Sequence, residues 1–227
     1  NSSAASDVYK RQELYREFLP KHIWKAYAAE YRKIQHGMLY ALHNPEMLEF
    51  LSRAELSETS LVARPFHPDE IRAIRARHTC PIVFVALGMS AQFTQPVSVE
   101  GVEAHFYVTE GVPLTGSNVT VIPYSTLHTQ DYVAAADYVV TKAGWGTVAE
   151  CLLAQKPMAL FARDSVLEDR TTIRKLEQKK LAIKVTYEQL TDMPDLLEQM
   201  KQITYPAVPE YHNAAAEIVS KLLTLTE

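Results

Sequence analysis

Six short runs of apolar, β-branched and aromatic residues follow one another between residues 82 and 186. They are "IVFVAL" (82–87), "HFYVT" (105–109), "VTVIP" (119–123), "DYVVT" (137–141), "PMALF" (157–161) and "AIKVT" (182–186). Several are apolar almost throughout instead of alternating with polar residues, which marks strands covered on both faces. Helical patterns at 126–136, 147–155 and 168–180 separate most of the runs, and two more, 188–202 and 210–226, follow the last. Strands that alternate with helices and need cover on both sides predict an α/β fold with a doubly wound, parallel, six-stranded Rossmann-like sheet. The link over 88–104 is the weakest member, because "FTQPVSVEG" makes a poor helix.

The chain upstream reads differently. Leu14, Phe18, Ile23, Trp24, Tyr27 and Tyr31 recur at helical spacing over 13–35, interrupted by Pro20, with Arg16, Lys21, Lys25, Arg32 and Lys33 between them. Such a helix either packs on a neighbouring domain with a solvated basic face or lies on a membrane surface. "GMLYAL" and "TSLVARPF" read as short extended runs around a loop and helix at "HNPEMLEFLSR". Pro65 and Pro68 then suggest a linker, followed by a short helix at "DEIRAIRARH". The opening "NSSAASDVYKRQ" lacks the apolar stretch of a secretory signal. Its "DVYKRQ" back-translates to the end sequence of a transposon used for sequencing libraries. Residues 1–12 are therefore expected to be such a scar or a disordered tail, with the native protein entering near Glu13 and lacking an N-terminal part. The expected organisation is 1–12 tail, 13–68 end of an N-terminal domain with its linker, and 69–227 a ligand-binding domain.

Bulk properties exclude several classes. Hydrophobic residues make up 47% and charged residues 22%, and the net charge is −4, so no basic field argues for nucleic acid. Cys80 and Cys151 have no metal-site or disulfide spacing, which fits a reduced, cytoplasmic setting. No apolar run reaches the roughly 18 residues of a membrane span. The eight histidines form no evident triad or zinc pattern, and His43, His67 and His128 read as loop residues.

Only 7 glycines occur in 227 residues, yet Gly144 and Gly146 flank a tryptophan in "TKAGWGTVAECLLAQKPMALF" (141–161). Glycine permits positive φ and close backbone approach. The turn falls at the C-terminal end of a strand and opens a helix, where parallel α/β sheets bind ligands and where unpaired N–H groups attract phosphate. Gly88, with Ser90 beside it, occupies the equivalent place after the first strand. Two such turns on one sheet edge make a cradle for a nucleotide diphosphate. Trp145 either stacks on a ligand or covers the sheet edge. Glu150 follows Thr147 in a capping-box pattern, "TVAE", and reads either as a cap or as an acceptor for vicinal ribose hydroxyls. "GMSAQF" lacks the G-x-G-x-x-G fingerprint of dinucleotide dehydrogenases.

"ADYVVTKAGWGTVAECLLAQKPMALF" resembles the signature of the C-terminal donor domain of GT-B glycosyltransferases, nearest to the UDP-sugar enzymes related to the peptidoglycan GlcNAc transferase and to UDP-glycosyltransferases. The resemblance covers about residues 60–203. It implies that the turn at Gly144, Gly146 and Thr147, with Gly88 and Ser90 of "VALGMS", binds the donor diphosphate, and that Glu150 binds the ribose; Trp145, not a fixed family residue, is placed with the diphosphate group by its position in the turn. It implies further that the backbone at Tyr124, after the proline of "VTVIPY", contacts the base. The family's donor-sugar glutamine is absent. "DSVLEDRTTIRKL" offers Asp169 and Glu168 at that place, which read equally as helix-terminal acids.

The implied activity is hexosyl transfer from a UDP-sugar with inversion, with no metal and no cofactor, the UDP-sugar being substrate. The general base is expected in the missing N-terminal domain, so this chain alone is expected to be inactive. The acceptor, whether small molecule, lipid or glycan, is unknown, and the missing domain is where peripheral membrane contact is expected. Two alternatives stay open: a non-catalytic nucleotide-sugar-binding subunit that needs a partner chain, and an enzyme like the sugar-nucleotide 2-epimerases.

Overall fold

A computed structural model describes residues 20–43, 48, 51–87, 95–161 and 167–225. They form two units, one of the residues up to Leu61 together with those from Tyr211 onward, the other of Val62–Glu210.

The second unit carries the predicted sheet. Its strands are β3 (Ile82–Ala86), β5 (His105–Thr109), β7 (Val119–Ile122), β8 (Tyr138–Lys142), β9 (Met158–Phe161) and β10 (Ala182–Val185). All pair in parallel in the order β10–β9–β8–β3–β5–β7. Val83, Phe84 and Val85 are all buried, which is why β3 reads as continuously apolar. Successive side chains alternate between faces. Val83 and Val85 join Phe106, Val108 and Val140 in a cluster with Met193, Leu196 and Met200. On the other face Phe84 stacks with Tyr132.

The helices of this unit are α2 (Pro68–Arg75), α3 (Thr129–Ala135), α4 (Trp145–Leu153), α5 (Leu167–Gln178), α6 (Tyr187–Thr191) and α7 (Met193–Met200). α3 packs between α2 and α4. The continuous helix expected over 188–202 is broken at Asp192. Pro194 lacks an N–H and its ring clashes with the preceding turn, so the chain restarts with the Asp192 side chain accepting from Asp195 N. Part of the weak link, 88–94, lies outside the described residues. Beyond it, β4 (Val97–Ser98) pairs in parallel with β6 (Leu114–Thr115), two strands too short to read from the sequence. Asn118 Nδ2 stitches this region by donating to the carbonyls of Val99, Val102 and Ala104.

In the first unit, α1 runs over Lys21–Tyr31. It starts directly after Pro20 and stops at Arg32, short of the expected end at 35, because the chain turns into β1 (His36–Leu39). Residues 13–19 lie outside the described residues, as do 44–47, 49 and 50 of the loop and helix expected over 43–53. β1 pairs in parallel with β2 (Glu55–Glu58). The last helix, α8, spans Ala215–Thr224 instead of starting at 210, because Leu61 N donates to His212 O and Ala214 N to Leu61 O, holding the preceding residues extended. No helix among the described residues is long and apolar enough to cross a membrane.

At the N-terminal edge of the main sheet, the His78 and His105 rings stack 3.8 Å apart. His78 Nε2 lies 2.8 Å from the Tyr107 hydroxyl and His105 Nε2 lies 3.0 Å from Thr120 Oγ1. Burial holds both imidazoles below their ordinary range; Arg77 and Arg75 add to this for His78, and His78 adds to it for His105. Depressed pKa values mean that the unfolded chain binds more protons. The stability from this pair is therefore present above the unfolded imidazole value of about 6.5 and is lost as pH falls from there through the lowered folded values. Urea midpoints measured between pH 5 and 8 are expected to drop on the acid side, and His105→Gln is expected to flatten that drop.

Candidate functional site

β3 is the hinge of the strand order: β5 and β7 extend from one side of it, β8, β9 and β10 from the other. Ligand crevices in open α/β sheets lie at such a reversal, beyond the strand C-termini. Here the reversal falls between β3 and β8, whose ends are tied where Thr141 Oγ1 donates to Ala86 O at 2.8 Å. Gly88 and Ser90, which follow β3, lie outside the described residues.

After β8 only Ala143 and Gly144 intervene before α4 begins at Trp145. Gly144 is the N-cap; its N–H donates to Lys142 O at 2.7 Å and its carbonyl accepts from Val148 N at 3.0 Å. The helix thus starts two residues earlier than expected. Thr147 is its third residue instead of its cap, and no side chain caps this end, so the capping box expected of Thr147 and Glu150 does not form. Neither glycine uses the positive φ that glycine allows: Gly144 has φ −68°, and Gly146 is not in the left-handed region either. Beyond its own helix turn, a Cβ on Gly146 would meet no atom of the described residues within 4 Å. What Gly146 leaves, among the described residues, is open space above the first turn, where the N–H groups of Gly146 and Thr147 have no acceptor. Unpaired N–H groups and the helix dipole make this end attractive to an anion. Trp145, the first helical residue, is half-buried.

One turn further on, Glu150 is buried, its side chain 4% exposed, and Arg64 is its partner: Arg64 Nε donates to Glu150 Oε1 at 2.8 Å. No described residue donates to Oε2. A desolvated carboxylate with a single cation holds unused acceptor capacity at the inner wall of the site. Arg64 itself is 47% exposed. Its remaining donors reach Leu127 O at 3.2 Å and Thr129 Oγ1 at 3.0 Å. The next residue, Cys151, is fully buried; burial first, then the Glu150 carboxylate, pushes its thiol well up, so it is held as an inert thiol.

Tyr124 follows the end of β7. Its backbone N–H donates to Glu110 Oε2 at 3.1 Å and its side chain is exposed. Its hydroxyl lies over Gly111, whose φ of +88° is the left-handed conformation that favours glycine. Asp169, the third residue of α5, is buried in the first turn of that helix. The side chain of Glu168 lies outside the described positions. No group of three or more His, Cys, Asp or Glu among the described residues could hold a metal ion.

The structure thus brings the Gly144–Thr147 turn and Glu150 together on α4, and sets Tyr124 at the end of β7 on the same side of the sheet. Two participants are not evident from the sequence. Arg64 stands 86 residues from its partner, and nothing local in "LVARPF" announces a carboxylate. His67, read as a loop residue, is the N-cap of α2 and packs on α3. Its N–H donates to Asp131 Oδ1 at 2.9 Å and its Nδ1 lies 2.8 Å from Asp131 Oδ2.

Known proteins place this architecture. Phytolacca americana UGT2, solved with UDP-2fluoro-glucose and pterostilbene, superposes with a TM-score of 0.60 at 10% identity, covering 90% of this chain and 56% of that one. Arabidopsis thaliana UGT89C1, solved with UDP-L-rhamnose, gives 0.58 at 13% identity, with 89% and 57% covered. The spinosyn forosaminyltransferase SpnP gives 0.51 at 15% identity, with 83% and 54% covered. The chain spans little more than half the length of these structures, and at such identities they carry the fold alone: the C-terminal Rossmann-like domain of a GT-B architecture. No curated protein matches the chain. The model of the glycosyltransferase family 28 C-terminal domain matches residues 83–225, more than half of the chain and the whole of its main sheet except the first residue of β3, and the protein belongs to that family.

Proposed function

We propose that Val62–Glu210 is the donor-binding part of a glycosyltransferase that transfers a hexosyl group from a UDP-sugar, with inversion, to an acceptor held by another domain. The observation that carries this reading is the start of α4: open N–H groups at Gly146 and Thr147 at the sheet's reversal point, with the buried, half-used carboxylate of Glu150 one turn behind. A phosphate at the N–H groups would place the attached ribose near Glu150, which accepts from its hydroxyls. Helix N–H groups stabilise charge that develops on the departing diphosphate, and they do so without reorganising. Gly88, Ser90 and Trp145 complete the diphosphate wall, the backbone beside Tyr124 meets the uracil, and Asp169 with Glu168 faces the sugar. The general base belongs to the acceptor side. UDP-bearing ligands in two of the similar folds are consistent with this assignment.

Three outcomes test it. Glu150→Ala should weaken UDP binding by about 1–3 kcal/mol, the cost of a lost charge-assisted hydrogen bond; unchanged calorimetric affinity in the folded variant would leave Glu150 with a structural role only. Gly146→Ala should raise folding stability by about 0.5–1 kcal/mol, since its φ and surroundings accept a methyl group. The same variant should bind UDP more weakly because the methyl group narrows the approach to the N–H groups; equal or tighter UDP binding would place the diphosphate elsewhere. Finally, UDP should raise the melting temperature more than ADP or GDP at matched concentrations, and equal shifts would sink the uridine preference.

A further inference from the structure

We infer that Arg64 is a positioning residue for ribose recognition: it pins one oxygen of Glu150 and presents the other to the vicinal hydroxyls. This rests on the donor-binding reading above. A glutamate carboxylate turns freely about its last torsion, so a buried one with no fixed partner presents no defined acceptor. Arg64 Nε removes that freedom by holding Oε1 at 2.8 Å, while Oε2 receives nothing from the described residues.

The guanidinium is itself held at two further points, Leu127 O and Thr129 Oγ1. Only a planar group with donors on several edges spans three such acceptors. The backbone that carries it is strapped to the N-terminal turn of α3: Gln130 Nε2 donates to Pro65 O at 3.0 Å, and Asp131 takes both the His67 N–H and its Nδ1. Gln130 and Asp131 are both buried, and α3 packs on α4. The segment from Arg64 to His67 is therefore a rigid strut between the two helices. An ion pair that merely neutralised Glu150 would need neither the second and third acceptors nor the strap.

Neutralisation and positioning differ in one readout, the dependence of affinity on the ribose hydroxyls. Calorimetry on the full chain compares UDP with 2′,3′-dideoxyuridine diphosphate for the wild type, Arg64→Gln and Arg64→Lys, with folding checked by circular dichroism. The wild type should bind UDP about tenfold or more tighter than the dideoxy form, as expected for hydrogen bonds to a charged acceptor. In Arg64→Gln that ratio should fall to about threefold or less, through weaker UDP binding with dideoxy affinity unchanged. Arg64→Lys keeps a cation for Glu150 but cannot reach the other two acceptors, and it should lose the discrimination as well. A wild-type ratio in either folded variant, Arg64→Gln or Arg64→Lys, overturns the proposal. A wild type that binds UDP and the dideoxy form equally overturns it while leaving the donor reading standing. A wild type that binds no UDP removes both.

Discussion

A parallel strand cannot return to its neighbour through a tight turn, so every step along the β10–β9–β8–β3–β5–β7 sheet needs a crossover. The crossover segments cover the faces, which is why Val83, Phe84 and Val85 can all be buried in one strand. The same constraint sends every strand C-terminus to one edge. Where the winding reverses, between β3 and β8, no crossover passes over that edge, and the fold leaves a crevice there. The Gly144 turn lies at that crevice because of topology, and its chemistry follows from being the start of a helix.

The crevice wall is built with unequal burial. Glu150 is almost wholly removed from water while Arg64 keeps half its surface wet. A buried carboxylate is costly without a partner, so the fold has to supply a cation, and among the described residues Arg64 is the one that pairs with it. The cation comes from the segment before α2, secured on α3 by Gln130 and Asp131. A segment that reads as a linker is thereby part of the wall. The glycines act by what they leave out: open space over Gly146 exposes N–H groups that a side chain would shade.

Much of this was legible in the chain. Near-continuous apolar runs marked the inner strands β3, β5, β8 and β9, since burial on both faces leaves no polar alternation to obscure them, while the edge strands β7 and β10 keep exposed positions such as Val121 and Lys184. The resemblance of 136–161 to a donor-domain signature pointed to the family to which the chain belongs. Boundaries were less legible. The start of α4 was displaced by two residues because Thr147 and Glu150 match a capping box in spacing, and only the backbone path shows that the chain is already helical at Trp145. The break at Asp192 was written in Pro194, but apolar periodicity runs across it.

Local pattern decided what local forces decide: the strands, the helices, the turn between β8 and α4, and hence the class of fold. Tertiary structure decided the partners of the groups that patterns cannot pair. Arg64 meets Glu150, His67 meets Asp131, and Asn118 gathers three carbonyls. Periodicity reports which face of an element is buried. It does not report which distant polar group the packing brings opposite, because that depends on how six strands and their crossovers are ordered in space.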